Sequence, residues 1–302
     1  NADITDDNLS NSLKNYKFET IINCSACVKH YAADDVLERI NVHGVENLIE
    51  IALERNVRLI QISSTSVPGV HTKESYEKRI RMYEDQLFMI DSMDNKYLLS
   101  KYHAEQRMFT AIEKRGLRGK VIRVGNLMGR YEDGEFQFNM NSNAFLNGIR
   151  GFVTMGSCPI THTTDPISFA PIDLTAKVVV LLAGTDDRFT AFNGDSRYSF
   201  DEYQLIEACN RCGLPIKFLE EEEYYNNYRK QLGNEKINAR LQGLMTNDLP
   251  GVHQVETDNK FTAYILYRLG FAWPFIDNEY LDKTITSIKT LGFFDYEDDD
   301  EE

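Results

Sequence analysis

The chain has 302 residues, of which 26% are charged and 42% hydrophobic, and its formal net charge is −14. That length allows one large or two medium-sized domains, each with a sizeable core. The acidic balance argues against a nucleic-acid partner, because phosphate backbones are bound by clustered Lys and Arg. No apolar run approaches the roughly 18 to 20 residues that span a bilayer, and no signal peptide opens the chain, so we expect a cytoplasmic protein without a membrane partner.

Strands and helices alternate along the first half of the chain. The pattern predicts a strand at residues 18–24, a long amphipathic helix at 34–56 and a second strand at 57–64. A polar excursion and another helix follow, and then a strand at 120–125. Alternation of this kind predicts an α/β fold with parallel strands joined by right-handed crossovers.

Polar clusters stand where three of these strands end, at residues 23–26, 63–65 and 123–126. In open α/β sheets, ligands gather at the carboxyl ends of the strands, so the three clusters are expected to converge on one crevice.

Tyr97 and Lys101 lie four residues apart on the predicted helix and therefore share one face of it. A lysine ammonium near a phenol stabilises the ionised form of that phenol. A hydroxyl from Ser64 or Thr65, at the end of the preceding strand, would complete an acid site. The spacing alone is common, and it indicates chemistry here because the polar strand ends surround it.

Several segments together resemble one enzyme superfamily, the short-chain dehydrogenases/reductases of the extended type. Within it they are similar to the thioester reductase domains that terminate nonribosomal peptide synthetases and carboxylic acid reductases. The matching segments are residues 2–5 (ADIT), 22–26 (INCSA), 41–48 (NVHGVENL), 62–67 (ISSTSV), 97–105 (YLLSKYHAE), 123–130 (RVGNLMGR), 134–137 (GEFQ), 171–173 (PID) and 269–274 (LGFAWP).

The resemblance implies a Rossmann-like, doubly wound parallel sheet in residues 1–135 and a smaller, mostly helical substrate-binding part in residues 136–294. A segment at about 165–193 is expected to return to the first part. Residues 295–302 are an acidic run, which we expect to be a disordered tail.

The glycine-rich phosphate loop that opens this superfamily is not found in the sequence. Gly116 and Gly119 precede a strand instead of following one, and the pair Gly148 and Gly151 lacks a third glycine. We therefore expect the first two strand–helix units to lie upstream of Asn1 in a longer polypeptide, and the chain alone to bind cofactor poorly.

The resemblance assigns catalysis to Ser64, Tyr97 and Lys101. Ser64 is preferred to Thr65 because it stands three residues before Val67, where extended members of the family carry their catalytic hydroxyl. Thr65 and Asn126 are then the implied substrate contacts. The implied cofactor is NADPH, with Asp3 and Ile4 flanking its adenine and with Asn23 and Ser25 on its ribose side. The full set of implied cofactor-binding residues is Asp3, Ile4, Asn23, Ser25, Ala26, Lys101 and Asn126. For Asn41, inside a helix, we expect a hydrogen bond to the neighbouring strand.

In the second half of the chain, amide-rich residues 139–147 and the Gly-, Pro- and Thr-containing residues 152–165 suggest loops. Helices are predicted at 171–183, 200–212, 220–243, 258–270 and 280–291, with a short strand at 189–193.

Two Cys-x-x-Cys pairs, Cys24/Cys27 and Cys209/Cys212, have the spacing of a four-thiolate zinc site. Because Cys24 ends a predicted buried strand and Cys209 lies on a predicted amphipathic helix, we expect reduced thiols and no metal.

The function implied is reductive release of an acyl or peptidyl thioester from the phosphopantetheine arm of an upstream carrier domain, to an aldehyde or onward to an alcohol. Two alternatives stay open. Nucleotide-sugar epimerases and dehydratases share the Tyr, Lys and Ser, but commonly show Val-Tyr-Gly where this chain has Val67-Pro68-Gly69. A non-catalytic dinucleotide sensor has no need of all three side chains.

Overall fold

The structure of the protein, a computed structural model, describes residues 2–28, 34–92, 94–138, 140–160, 166–196, 198–232, 240–241, 244 and 253–295. The expected acidic tail thus lies, from residue 296 onward, outside the described residues. The strands are β1 Thr20–Asn23, β2 Arg58–Ser64, β3 Gly119–Val124, β4 Asn126–Met128, β5 Ser157–Pro159, β6 Pro166–Pro171, β7 Ala191–Asn193, β8 Ser199–Asp201 and β9 Lys217–Leu219. The helices are α1 Leu9–Ser12, α2 Asp34–Leu37, α3 Gly44–Arg55, α4 Lys73–Glu77, α5 Lys96–Arg115, α6 Ala144–Met155, α7 Ile172–Ala183, α8 Glu202–Arg211, α9 Glu221–Gln231, α10 Lys260–Arg268 and α11 Asn278–Thr290.

The chain divides into two compact units. The first comprises residues 1–125, 175–197 and 253–273, and the second comprises 126–174, 198–252 and 274–302.

The first unit contains a four-stranded sheet in the order β1-β2-β3-β7, and all three pairings are parallel. This confirms the predicted α/β class and the predicted strands, with bounds that shift by at most two residues. Helices α3 and α5 cover the sheet with an apolar core in which Leu59, Met108 and Val121 are fully closed to solvent. Parallel strands need crossover connections of this kind, because short turns cannot join them.

The predicted helix at 34–56 is observed as α2, a π-helical turn at Glu38–His43, and α3. It ends where Asn56 adopts a left-handed conformation with φ 51°. The π-helical turn contains Asn41, whose side chain is buried. Single π turns inside α-helices occur frequently at functional sites.

The polar segment between β2 and α5 pairs through β-bridges with residues far along the chain. Val70 pairs with Gln254 and Met82 with Thr257 in isolated β-bridges, both within the first unit. Gly69 turns the chain at φ 77°, and a Cβ there would meet the Asp91 carbonyl oxygen at 2.0 Å. Only glycine fits this close approach.

The second unit holds two small sheets, β4-β6-β8 and β5-β9, around its own apolar core. The loop predicted across 139–147 and 152–165 is wrong in part, because residues 144–155 form the helix α6. The amides that suggested a loop begin this helix: Asn143 is its N-cap and accepts a hydrogen bond from the Leu146 N–H. Gly156, at φ 60°, ends it.

Candidate active site

Tyr97 and Lys101 lie at the start of α5. The side chain of Asn95 caps this helix and accepts a hydrogen bond from the Leu98 N–H at 3.2 Å. Tyr97 is therefore in the first turn, and Lys101 is one turn further along the same face. Tyr97 is half-buried, whereas only 5% of Lys101 is exposed.

The Lys101 ammonium is hydrogen-bonded to strand β2. Its Nζ donates a 2.9 Å hydrogen bond to the carbonyl oxygen of Ile62, two residues before the end of β2. Burial lowers the pKa of Lys101 to about 8, while Glu105 and, to a smaller extent, Cys24 oppose that shift. Lys101 is therefore charged at neutral pH, by a smaller margin than a solvent-exposed lysine.

The Tyr97 phenol has a raised pKa. Burial, and secondarily the neighbouring Cys27, raise it to about 12. The sequence suggested that Lys101 would stabilise the ionised phenol, and the protein's own residues shift the pKa the other way. The physical reason is burial, which disfavours the charged form of the phenol. A phenol that stays protonated at neutral pH is the form that a proton donor requires.

Ser64 and Thr65 differ in what their hydroxyls already do. Ser64, the last residue of β2, accepts a 3.1 Å hydrogen bond from the Ser66 N–H, so its own proton can be directed elsewhere. The Thr65 hydroxyl donates to the Val124 carbonyl oxygen at 3.4 Å, and the Thr65 N–H donates to the same oxygen at 3.0 Å. Thr65 thus ties the end of β2 to β3, which favours Ser64 as the hydroxyl that meets a substrate.

Three of the predicted cofactor residues line one cavity of about 440 Å³. Asp3, Ile4 and Ser25 contribute to it, together with Ala2, Thr5, Arg39 and Ile40. Asp3 is held by two hydrogen bonds of 2.9 Å from the N–H and hydroxyl of Thr5, and these bonds lower the pKa of its carboxyl group.

Ile4 is positioned against α3. Asn47 donates to the Ile4 carbonyl oxygen at 2.9 Å. Gly44 leaves room for the Ile4 side chain, since a Cβ at Gly44 would lie 2.7 Å from the Ile4 Cδ1. Sequence reasoning missed Arg39, the cation at this cavity, because a lysine or arginine on a helix is ordinarily a solvated surface residue.

Asn23 faces the sheet. Its Nδ2 donates to Gln61 Oε1 at 2.8 Å, and its Oδ1 accepts from the Ser25 N–H at 3.0 Å. Both polar atoms of this buried side chain therefore bind within the protein, where they shape the turn that carries Ser25 and Ala26. A direct ribose contact by Asn23 stays a prediction.

Asn41 joins the loop after β1 to α5. Its side chain accepts from the Cys27 N–H at 2.7 Å and donates to the Cys27 carbonyl oxygen at 3.0 Å and to Ser100 Oγ at 2.9 Å. Ser100 Oγ in turn donates to the Tyr97 carbonyl oxygen at 2.7 Å. The predicted partner, a neighbouring strand, is replaced by the loop that follows that strand and by the helix that carries Tyr97.

Asn126 is an exposed residue at the start of β4, in the second unit, so its contact with cofactor or substrate stays a prediction. Within the described ranges, which include all five cysteines, no group of three or more His, Cys, Asp or Glu side chains could hold a metal ion. Across the same residues, no helix combines the length and the apolarity needed to cross a bilayer.

The chain is similar to proteins and domains described as reductases. It is 28% identical over 247 residues to the L-2-aminoadipate reductase large subunit of Candida glabrata, covering 77% of this chain and 17% of that protein. A thiolation-reductase di-domain from an archaeal non-ribosomal peptide synthetase is 32% identical, with a TM-score of 0.85 over 97% of this chain and 62% of that one. The terminal R domain of the myxalamid PKS-NRPS pathway, 18% identical, shares the fold with a TM-score of 0.81 over 98% of this chain and 75% of its own.

The chain therefore spans less than two thirds of the first two relatives. The profile of an NAD-binding family described as Male sterility protein matches residues 3–179, which is more than half of the chain. These similarities confirm the short-chain dehydrogenase/reductase resemblance, and the chain belongs to the Male sterility protein family of NAD-binding domains.

Proposed function

We propose that the chain catalyses NADPH-dependent reductive release of an acyl or peptidyl thioester, held on the phosphopantetheine arm of a carrier domain, in the cytoplasm. The product is an aldehyde, or an alcohol after a second round. One observation carries this proposal: Lys101, one turn after Tyr97, is bonded to the strand that ends at Ser64. The similarity to a thiolation-reductase di-domain supports the choice of substrate class.

The cavity at Asp3 and Ile4 fits the adenine end of a dinucleotide. It offers an aliphatic side chain, a carboxylate acceptor and the Arg39 guanidinium within about 440 Å³. The aliphatic side chain suits the flat apolar face of an adenine, and the carboxylate suits its amino donor. The guanidinium suits the face of the ring or the phosphates that follow it in a dinucleotide. When bound, the reduced nicotinamide supplies the hydride for the reaction.

Ser64 and Tyr97 would act on the substrate carbonyl. Their hydroxyls donate to the thioester oxygen and polarise the carbonyl, so that its carbon accepts the hydride. As negative charge develops on that oxygen, Tyr97 transfers its proton to it. The resulting hemithioacetal collapses with cleavage of the carbon–sulfur bond, which leaves an aldehyde and a free carrier thiol, for one hydride and one proton consumed in total.

Lys101 would stabilise the phenolate that Tyr97 becomes after it gives up its proton. With a pKa of about 8, the ammonium is charged at neutral pH and is held by Ile62 at a fixed position. An opposite charge within a few ångströms favours the ionised phenol at the moment when it forms, although burial disfavours it at rest.

The test uses the full-length enzyme with NADPH and three substrates: an acyl-phosphopantetheine thioester, the corresponding free acid, and a nucleotide sugar. Cofactor oxidation with the thioester, accompanied by an aldehyde trapped as its hydrazone, is expected. Turnover of the nucleotide sugar without net cofactor oxidation would favour the epimerase alternative. Binding of NADPH without turnover of any substrate would favour the sensor.

A further inference from the structure

Glu105 and Arg123 form an ion pair that is closed to solvent. The exposed fraction of both residues is 0%. Arg123 Nε lies 3.1 Å from each Glu105 carboxylate oxygen, and Arg123 Nη2 lies 2.8 Å from Oε2. Glu105 is on α5 and Arg123 is in β3, so the pair fixes the helix of Tyr97 and Lys101 to the sheet. The proposed mechanism uses neither side chain directly.

The rest of the Arg123 guanidinium is also bound. Nη2 donates to the Gln86 carbonyl oxygen at 2.8 Å, and Nη1 donates to Asn193 Oδ1 at 3.2 Å and to the Glu84 carbonyl oxygen at 3.5 Å. Asn193 is itself fixed by donating to the Asp258 carbonyl oxygen at 2.6 Å. These contacts come from three separate parts of the first unit, residues 84–86, 193 and 258, so the guanidinium that faces Glu105 is held from several sides.

Glu105 lies one turn after Lys101, on the same face of α5. The titratable groups that act on Lys101 are Glu105, on its own helix, and Cys24, beyond the end of β1, while β2 contributes the Ile62 carbonyl. Of these, Glu105 is the group whose carboxylate is bound by a buried arginine. Burial would otherwise favour loss of the Lys101 proton.

Stability alone is a poor explanation for this pair. Two buried charges lose their hydration, and apolar residues of similar volume usually serve a fold as well or better. The pair is therefore better explained by what it does to its neighbour. We propose that Glu105, held by Arg123, is a positioning residue for the reduction, whose fixed carboxylate keeps the Lys101 ammonium charged beside Tyr97. This inference rests on the proposed function for its catalytic meaning, but the state of Lys101 can be measured without catalysis.

The experiment compares wild type, Glu105→Asp and the double variant Glu105→Leu/Arg123→Met in the full chain. The double variant removes both charges, so neither is left buried and unpaired. The pKa of Lys101 is read from the pH titration of the ¹³Cε signal of ¹³C-labelled lysine, assigned with Lys101→Arg. Glu113→Gln, at an exposed position on the same helix, is the matched control.

In wild type the titration midpoint is expected near 8. In the double variant it should fall by at least about one pH unit, a tenfold change in proton affinity. In Glu105→Asp, which keeps the carboxylate, and in Glu113→Gln, the Lys101 titration midpoint should stay near the wild-type value. The pH above which thioester reduction is lost should shift in the same order as these midpoints. A midpoint in the double variant equal to wild type would overturn the inference, whether or not the enzyme reduces thioesters.

If the double variant does not fold, Glu105→Gln takes its place under the same criterion, read at the pH values where it is folded. If no form reduces a thioester, the proposed function fails, while the titration still decides the role of Glu105.

Discussion

The link from Asn41 to the Tyr97 helix gives a quantitative prediction. Replacing Asn41 with Ala removes one acceptor and one donor group that together make three hydrogen bonds, of 2.7, 3.0 and 2.9 Å, to Cys27 and Ser100. The side chain is 2% exposed, so water cannot easily replace the lost partners. The loop after β1 and the first turn of α5 then lose their shared support.

Each of these bonds contributes about 1 kcal/mol net, so we expect Asn41→Ala to lower the free energy of unfolding by about 3 kcal/mol. Ser100, which donates to the Tyr97 carbonyl oxygen, is released from Asn41. Because small displacements of a catalytic group cost large factors in rate, kcat should fall by at least about tenfold.

Asn47→Ala is the matched control. Asn47 lies on the next helix segment and donates a single hydrogen bond, to the Ile4 carbonyl oxygen at 2.9 Å. Its loss should cost about 1 kcal/mol. Urea unfolding followed by circular dichroism measures both variants. The reasoning is refuted if Asn41→Ala costs no more than Asn47→Ala.

Three further predictions concern single side chains. Lys101→Met should abolish reduction. The folded-state pKa of Lys101, about 8, lies below its ordinary 10.5, so the unfolded chain binds the proton more tightly, and the free energy of unfolding of wild type relative to Lys101→Met should rise by about 3 kcal/mol between pH 7 and pH 11. A difference in urea unfolding that does not change with pH would contradict this. Gly44→Ala should push the Ile4 side chain, whose Cδ1 would lie 2.7 Å from the new Cβ, into the adjoining cavity. NADPH binding, measured by fluorescence titration, should weaken by about tenfold. Unchanged affinity would argue that the cavity does not bind the cofactor. Asn143→Ala should cost the second unit about 1 kcal/mol by removing the N-cap of α6, with Asn143→Asp, which keeps an acceptor oxygen at the cap, as its control in thermal unfolding.

The sequence predicted the sheet of the first unit because short apolar segments alternate with helical patterns along the chain, and the strands of a covered parallel sheet are buried along most of their length. Residues 58–64 and 119–124 illustrate this, since each is buried or half-buried throughout. Helix α6 was missed because amide residues signal loops and helix caps equally, and only the geometry at Asn143 distinguishes the two.

The candidate site residues could be named from the sequence, whereas their electrostatics could not. Tyr97 and Lys101 were proposed from their spacing and Ser64 from the family resemblance, and their roles stay predictions; the direction of the Tyr97 pKa depends on burial that no local pattern reveals. The pairing of Val70 with Gln254, and the Glu105–Arg123 ion pair, join residues distant in sequence. Such contacts depend on tertiary packing, and a single sequence carries no signal for them.

The central claim is that Tyr97 is the proton donor in a thioester reduction, and replacement of its hydroxyl tests that claim most directly. NADPH oxidation by the full-length enzyme with an acyl-phosphopantetheine thioester is compared between wild type, Tyr97→Phe and the control Tyr102→Phe, a half-buried tyrosine on the same helix. Loss of general acid catalysis should lower kcat by about 100-fold or more in Tyr97→Phe, with NADPH affinity unchanged, while Tyr102→Phe stays near wild type. A Tyr97→Phe variant that reduces the thioester at the wild-type rate would contradict the assignment.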